Sequence, residues 1–340
     1  MSYASGAGLG TISLAQVYAG LQYAEHQQWT GETVTYSIPT ATSVWSPGSY
    51  APDEEPFNAD YGIFNDVQAD SFRLAVFLWD RVTALSLIEA PDNANSQGQI
   101  RIAFTDVDDY TDEAFAYAYR PPEAGQGGDA YNGDIWIDAD AKEDEGDFGG
   151  YLFVTLLHEL GHTLGLKHPF EDTRLPGEFD NSRYTVMSYT DFEDSRLRFF
   201  YVENGEVKAA TYFVQPATPM PLDILAIQGI YGVSTDTALG DTIYAYNGSP
   251  DYISTLLDNG GTDTLNLSRM SLPSVVNLTP GEFSSIGYYS IAAQIADWTR
   301  RYPDSEAMIR DYLSRAGGYT GSNNLAIDIN TVIENVLGGA

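Results

Sequence analysis

Three of the four histidines in this chain fall within eleven residues, His158-Glu159-Leu-Gly-His162-Thr-Leu-Gly165-Leu-Lys-His168. The spacing has a mechanical reading. Residues four apart on a helix project from one face a turn apart, so His158 and His162 can reach one ion. Gly165 lets the chain leave the helix through a positive φ and return His168 to the same point. Three neutral imidazoles leave a tetrahedral zinc one open position, the arrangement of a catalytic site. Water bound there has its pKa lowered from about 16 toward 7. Glu159, next to the first ligand, is placed to take that proton and pass it to a leaving amine. A lone histidine is more often a packing residue, and His26 is read that way. Three of four in one window with this spacing are read as a zinc ligand set.

The window has the long form HExxHxxGxxH and resembles that of the metzincin metalloproteases. Those proteins also carry a methionine turn beneath the metal, and Thr185-Val-Met187-Ser-Tyr189 follows at the fitting distance. The resemblance implies that Met187 is structural. It also implies that Tyr189 is a zinc ligand at rest and an oxyanion donor during reaction. The absence of cysteine excludes thiolate latency and disulfide-bonded relatives. What remains resembles the serralysins. His168-Pro169 fits their pattern. Gly133-Asp134-Ile135-Trp136 resembles the edge strand above the cleft, where substrate adds as an antiparallel strand. Residues 221–232 resemble the helix after the methionine turn. The likeness spans roughly residues 29–268 and the last ten.

Serralysins bind calcium in a β-rich C-terminal region, and hard oxygen ligands suit that ion. By resemblance Asp241, Asp258 and Asp263 would supply carboxylates, Gly260 and Gly261 carbonyls, and Glu334 a further carboxylate. The alternative is that Asp and Gly only make turns. The chain departs from the family in four places. No Gly-Gly-x-Gly-x-Asp repeat occurs, so the parallel β-roll is expected to be missing. A helical insert near residues 291–315 has no family counterpart. Val332 replaces a threonine, and the segment between Tyr189 and Pro221 is long.

Stepping outward to the elements, periodicity predicts helices over residues 10–28, 67–89, 151–165 and 221–232. It predicts strands over 33–38, 99–104 and 133–138, and short strands near 241–244, 263–267 and 274–278. Residues 171–220 read as irregular, with strand pieces at 199–202 and 211–214. The expected fold is α+β: a metzincin catalytic domain over 29–235, with a twisted mixed sheet, long helices and a cleft. An N-terminal helix or pro-segment precedes it over 1–28. A smaller β-rich, calcium-binding region with the helical insert follows over 236–340.

Composition bounds the function. Sixteen Lys plus Arg against 48 Asp plus Glu give a net charge of −32. That excludes nucleic acid and an anionic membrane surface as partners. With 43% hydrophobic residues the chain can bury a large core. The reading is a zinc endopeptidase with protein or peptide substrates. It is expected to be monomeric, open to a protein inhibitor, and secreted without an N-terminal signal peptide. The alternative is a calcium-stabilised secreted binding or adhesion protein on a protease scaffold.

Overall fold

The computed structural model describes residues 9, 12–24, 27–45, 49–52, 54–107 and 114–339. His26 lies outside them. The chain opens with α1 (Leu14–Leu21), whose Ser13 and Gln16 form a reciprocal capping box. It is shorter than the helix expected over 10–28, because Gln22 already turns extended and bridges Leu166.

Strand β1 (Thr33–Ser37) precedes the long helix α2 (Asp66–Asp80), which is capped by Asn65 with Gln68 three residues on. The expectation of helix to residue 89 is corrected here. The Asp80 carboxylate accepts the Leu87 N–H, turning the chain into strand β2 (Ser86–Glu89), which pairs parallel with β1. Strands β3 (Ile100–Thr105), β4 (Ala116–Ala118) and β5 (Asp134–Asp138) complete a sheet of order β2-β1-β3-β5-β4. Only β4 runs antiparallel to its neighbour.

Helix α3 (Tyr151–Thr163) packs against α2 beneath this sheet, tied by the Trp79 Nε1 donor to the Leu157 carbonyl. Nearly every α3 side chain is buried, so it reads in sequence as a continuous apolar run. After the methionine turn come strands β6 (Arg196–Glu203) and β7 (Glu206–Phe213), paired over their full length as a hairpin. This segment is therefore regular rather than irregular. Its turn is Asn204-Gly205, both at positive φ. Strand β8 (Gln215–Pro216) leads into α4 (Pro221–Tyr231), which packs against α1.

The C-terminal part alternates between two sheets. Strands β9 (Ile243–Ala245), β10 (Tyr252–Leu256), β11 (Thr264–Asn266), β13 (Leu325–Ile327) and β14 (Asn335–Leu337) fall in turn on opposite sides. One sheet runs β14-β11-β9, all parallel. The other runs β12-β13-β10-β8, with β8, β10 and β13 parallel and β12 (Phe283–Ser284) antiparallel at its edge. Leu256, Leu265, Ile286, Leu325 and Ile327 fill the space between them. A short parallel β-roll is thus present without glycine-rich repeats, correcting the expectation that it would be missing. The coils are closed by apolar packing and by turn carboxylates. Between β12 and β13 the insert folds as two helices, α5 (Ile291–Arg301) and α6 (Glu306–Ala316), broken at Pro303.

A continuous apolar core runs from Leu9 through α1–α4 to Ile253, Leu257 and Tyr319. Among the described residues no helix is long and apolar enough to cross a membrane.

Candidate active site

Helix α3 carries His158 and His162 on its buried face. It ends in a Schellman turn: Gly165 N–H bonds to the His162 carbonyl and Leu166 N–H to the Gly161 carbonyl. Gly165 has φ +102°, as its place in the motif required. A Cβ there would collide with the Gln27 carbonyl, so only glycine fits. The turn brings His168 back beside the helix. The His168 Nε2 lies 3.1 Å from both the His158 and the His162 Nε2.

Each imidazole is oriented through its other nitrogen. His158 Nδ1 faces the Val186 carbonyl at 2.8 Å, His162 Nδ1 the Leu166 carbonyl at 2.9 Å, and His168 Nδ1 the Glu171 Oε1 at 2.6 Å. All three partners are acceptors, so each Nδ1 carries the proton and each Nε2 presents a lone pair. Three lone pairs aimed at one point cannot satisfy one another. A metal about 2.0–2.1 Å from each of three tetrahedral ligands would hold them about 3.3 Å apart. The triad therefore fits zinc. Among the described residues it is the one set of His or acidic side chains whose ligand atoms all lie within 4.8 Å. Burial, with the neighbouring imidazoles, holds His158 down near 3 and His162 well below its usual range. Burial lowers His168 as well, against Glu171. All three are neutral ligands near pH 7.

Glu159 is 4% exposed and borders a cavity with His158 and Tyr189, and its Oε2 has no partner. Burial pushes its carboxyl up to about 8. A cation at the imidazoles would draw it down again. The floor is Met187, fully buried, with its sulfur against Gly161. A Cβ at Gly161 would come within 2.5 Å of that sulfur, so the glycine inside the histidine motif makes room for the methionine. Tyr189 is exposed and lies over the ligands, its ring 4.6 Å from His168 and 5.4 Å from His158.

Several positioning residues were not evident from the sequence. Asp223, fully buried at the start of α4, accepts Thr185 Oγ1, Val186 N–H and Met220 N–H, clamping the methionine turn to that helix. Lys167 is buried in a cage of carbonyls from Gly20, Glu171 and Thr173, joining α1 to the loop that carries His168. Glu171, three residues after the last ligand, carried the one local signal.

The substrate strand was expected to add at Gly133, Asp134, Ile135 and Trp136. The topology corrects this. These residues lie on or beside β5, an internal strand paired with β3 on one side and β4 on the other, and all four are buried. Tyr50 donates to the Asp134 carboxylate, and burial pushes that carboxyl up to about 8. The half-buried edge strand beside the cavity is β4.

At one end of the roll, Asp241 accepts Thr262 N–H, Asp258 accepts Gly260 N–H, and Asp263 accepts Thr242 N–H. Glu334 accepts Asp263 N–H. Gly261 stands at φ +129°, and a Cβ there would strike Gly240. Asp241, Asp263 and Glu334 therefore staple one coil to the next, while Asp258 closes its own turn and accepts the Tyr244 hydroxyl. The Asp263 Oδ2 is buried without a partner, and its carboxyl is raised by burial and by the neighbouring Asp258 and Glu334. The orphaned Asp263 oxygen is one potential donor to a hard cation, but among the described residues only the three histidines bring their ligand atoms together within 4.8 Å.

The "Matrixin" family profile matches residues 57–176, the stretch that holds all three histidines and Glu159. The chain is 31% identical over 253 residues to "Serralysin" of Photorhabdus sp. (strain Az29), covering 69% of this chain and 50% of that protein. The chain is a serralysin-like metzincin. It is also 30% identical over 291 residues to "Serralysin B" of Dickeya chrysanthemi, covering 77% of this chain and 56% of the relative. To "Metallopeptidase AprA" of Pseudomonas marginalis it is 29% identical over 248 residues, covering 66% and 49%. This serralysin-like chain thus spans about half the length of the curated relatives it matches.

Proposed function

We propose that this protein is a zinc endopeptidase that cleaves polypeptide substrates bound along β4. The observation that carries the reading is the convergence of three neutral Nε2 atoms beside the unpartnered Glu159 Oε2.

Bound zinc would supply Lewis-acid polarisation of the scissile carbonyl and an acidified water. His158, His162 and His168 would hold it, kept in the right tautomer by Val186, Leu166 and Glu171. Substrate backbone pairs antiparallel with the free side of β4, which places a peptide bond over the pocket of about 460 Å3 bordered by His158, Glu159 and Tyr189. Glu159 Oε2 takes the proton of the attacking water and hands it to the leaving nitrogen. The Tyr189 hydroxyl donates to the developing oxyanion.

The same reading extends to calcium at Asp263, Asp258 and Glu334, with Asp241 and the Gly260 and Gly261 carbonyls completing the ligands. It also extends to an extracellular setting, for which a cysteine-free, strongly acidic chain is suited.

Casein hydrolysis tests the reading. Glu159→Ala is expected to retain one zinc per chain and to lose activity by about 100- to 10,000-fold. Chelation abolishes wild-type activity and zinc restores it. Undiminished hydrolysis by Glu159→Ala would overturn the mechanism.

A further inference from the structure

Two departures from the serralysin pattern meet in space. The long segment after the methionine turn forms the β6–β7 hairpin, and the insert forms α5 and α6. Phe200 of the hairpin packs into Ile295, Ile309 and Leu313 of the helices, with Trp298 and Tyr312 at the margin. Arg198 fixes the joint, donating to the Gly317 and Ala316 carbonyls, Thr211 Oγ1 and Tyr312 OH. The hairpin is thus held rigidly by the helical pair.

Its β7 end borders a trough of about 550 Å3 that shares Tyr151, Asp191 and Gln215 with the catalytic pocket. Four exposed aromatic residues border it: Phe148 at 44% exposure, Tyr151 at 57%, Tyr212 at 63% and Phe213 at 44%. Contiguous exposed aromatics beside a cleft mark a binding surface. The rings are not loose: Tyr212 stacks on Phe199 at 4.8 Å. Asp147, Asp191 and Asp251 also border the trough, while Arg196 lies over the Phe213 ring.

The strand direction says which part of a substrate lies there. Ala114–Ala116, at the start of β4, border the catalytic pocket together with Tyr151. A chain added antiparallel to β4 runs from the Ala118 side toward Ala114. Residues following the scissile bond therefore pass over the pocket and on into the trough.

We propose that the hairpin and its supporting helices form a distal subsite for the segment that follows the scissile bond. It selects apolar or aromatic side chains joined to a basic residue. This rests on the endopeptidase reading and goes beyond it, because the trough lining includes none of the three histidines and not Glu159.

The test compares three peptides with the full-length protein. One ends two residues after the cleavage site. Two extend six residues further, one with a Phe-Tyr-Arg tail and one with a Phe-Tyr-Glu tail. The wild type is expected to cleave the Arg-tailed peptide with a kcat/KM about 10-fold above the short one, the difference lying in KM. The Tyr212→Ser/Phe213→Ser variant loses that advantage and cleaves the short peptide as before. Asp251→Asn, a milder change at an exposed position, narrows the preference for Arg over Glu. Equal kcat/KM on all three peptides, or a parallel loss on short and long ones, overturns the subsite.

Fluorescence anisotropy of the labelled Arg-tailed peptide separates the two readings. If the wild type cleaves no peptide, the endopeptidase reading fails. The trough then stands only if the wild type binds this peptide at least several-fold more tightly than the double variant. Equal binding overturns it.

Discussion

At the residue scale, the site depends on atoms one bond-length removed from the chemistry. Each ligand imidazole is fixed by an oxygen on its far nitrogen, and two of those oxygens are backbone carbonyls that no substitution can remove. Glu171 is the exception, because its side chain holds His168 Nδ1 at 2.6 Å. Glu171→Gln replaces a charged acceptor by a weaker one and leaves the shape unchanged. Zinc affinity should fall about 10- to 100-fold, as read by competition with a chromophoric chelator. An unchanged affinity would show that the loop alone orients His168. Gly161 and Gly165 act at the same scale by what they lack: one yields space to the Met187 sulfur and the other a positive φ.

At the element scale, the sheet order decides which groups face substrate and which face the interior. Asp134 sits on β5, buried among Tyr50, Trp136 and the Arg101–Asp92 pair. Burial raises its carboxyl to about 8 in the folded chain, against about 3.9 in an unfolded one. The folded state therefore binds the extra proton between these values. Stability contributed by the protonated form is complete below about pH 4 and is lost as pH rises through 8. Denaturation midpoints should fall across that window, with a slope of at most about 1.4 kcal/mol per pH unit from this group. Asp134→Asn should flatten the profile, and a variant with the wild-type slope would assign the titration elsewhere.

The hairpin was legible in principle. Glu203-Asn-Gly-Glu206, flanked by alternating apolar residues, is a strong two-residue turn signal. The strand pieces at 199–202 and 211–214 by themselves do not show the pairing, which depends on the turn between them. Helix α2 ends earlier than its periodicity predicts for a different reason. Val82, Leu85 and Ile88 keep helical spacing, yet the Asp80 side chain stops the helix and parallel pairing with β1 claims Ser86–Glu89.

At the scale of the whole molecule, 48 acidic residues against 16 basic ones leave repulsion that the fold must manage. Part of it falls at the end of the roll, where Asp258 and Glu334, after burial, raise the Asp263 carboxyl. Calcium bound there would stabilise the folded chain by mass action. Chelator should lower the unfolding temperature by about 5 °C or more, and calcium restore it where magnesium does not. Asp263→Asn removes the buried orphaned charge. That variant should match or exceed the wild type without calcium and fall below it with calcium. A chelator-insensitive wild type would reduce these residues to turn formers.

The sequence by itself determined the candidate metal site, because the three histidines are local. Eleven residues contain His158, His162 and His168, the helix spacing that aligns the first two and the glycine that returns the third. The methionine turn and the helix after it were equally legible from short motifs. Only the tertiary structure decided which strand is the edge, which oxygens orient the imidazoles, and that a parallel roll exists. β5 became internal because β4, a three-residue strand, closes the sheet beside it. Val186 and Asp223 reach the site from far along the chain. The roll leaves little trace in the sequence because its strands are two to five residues long and those of its parallel coils pair across 21 to 71 residues. A helical insert also breaks any repeat. Spacing along a chain fixes what one helix can present, whereas strand neighbours are set by burial among segments that the order of residues does not reveal.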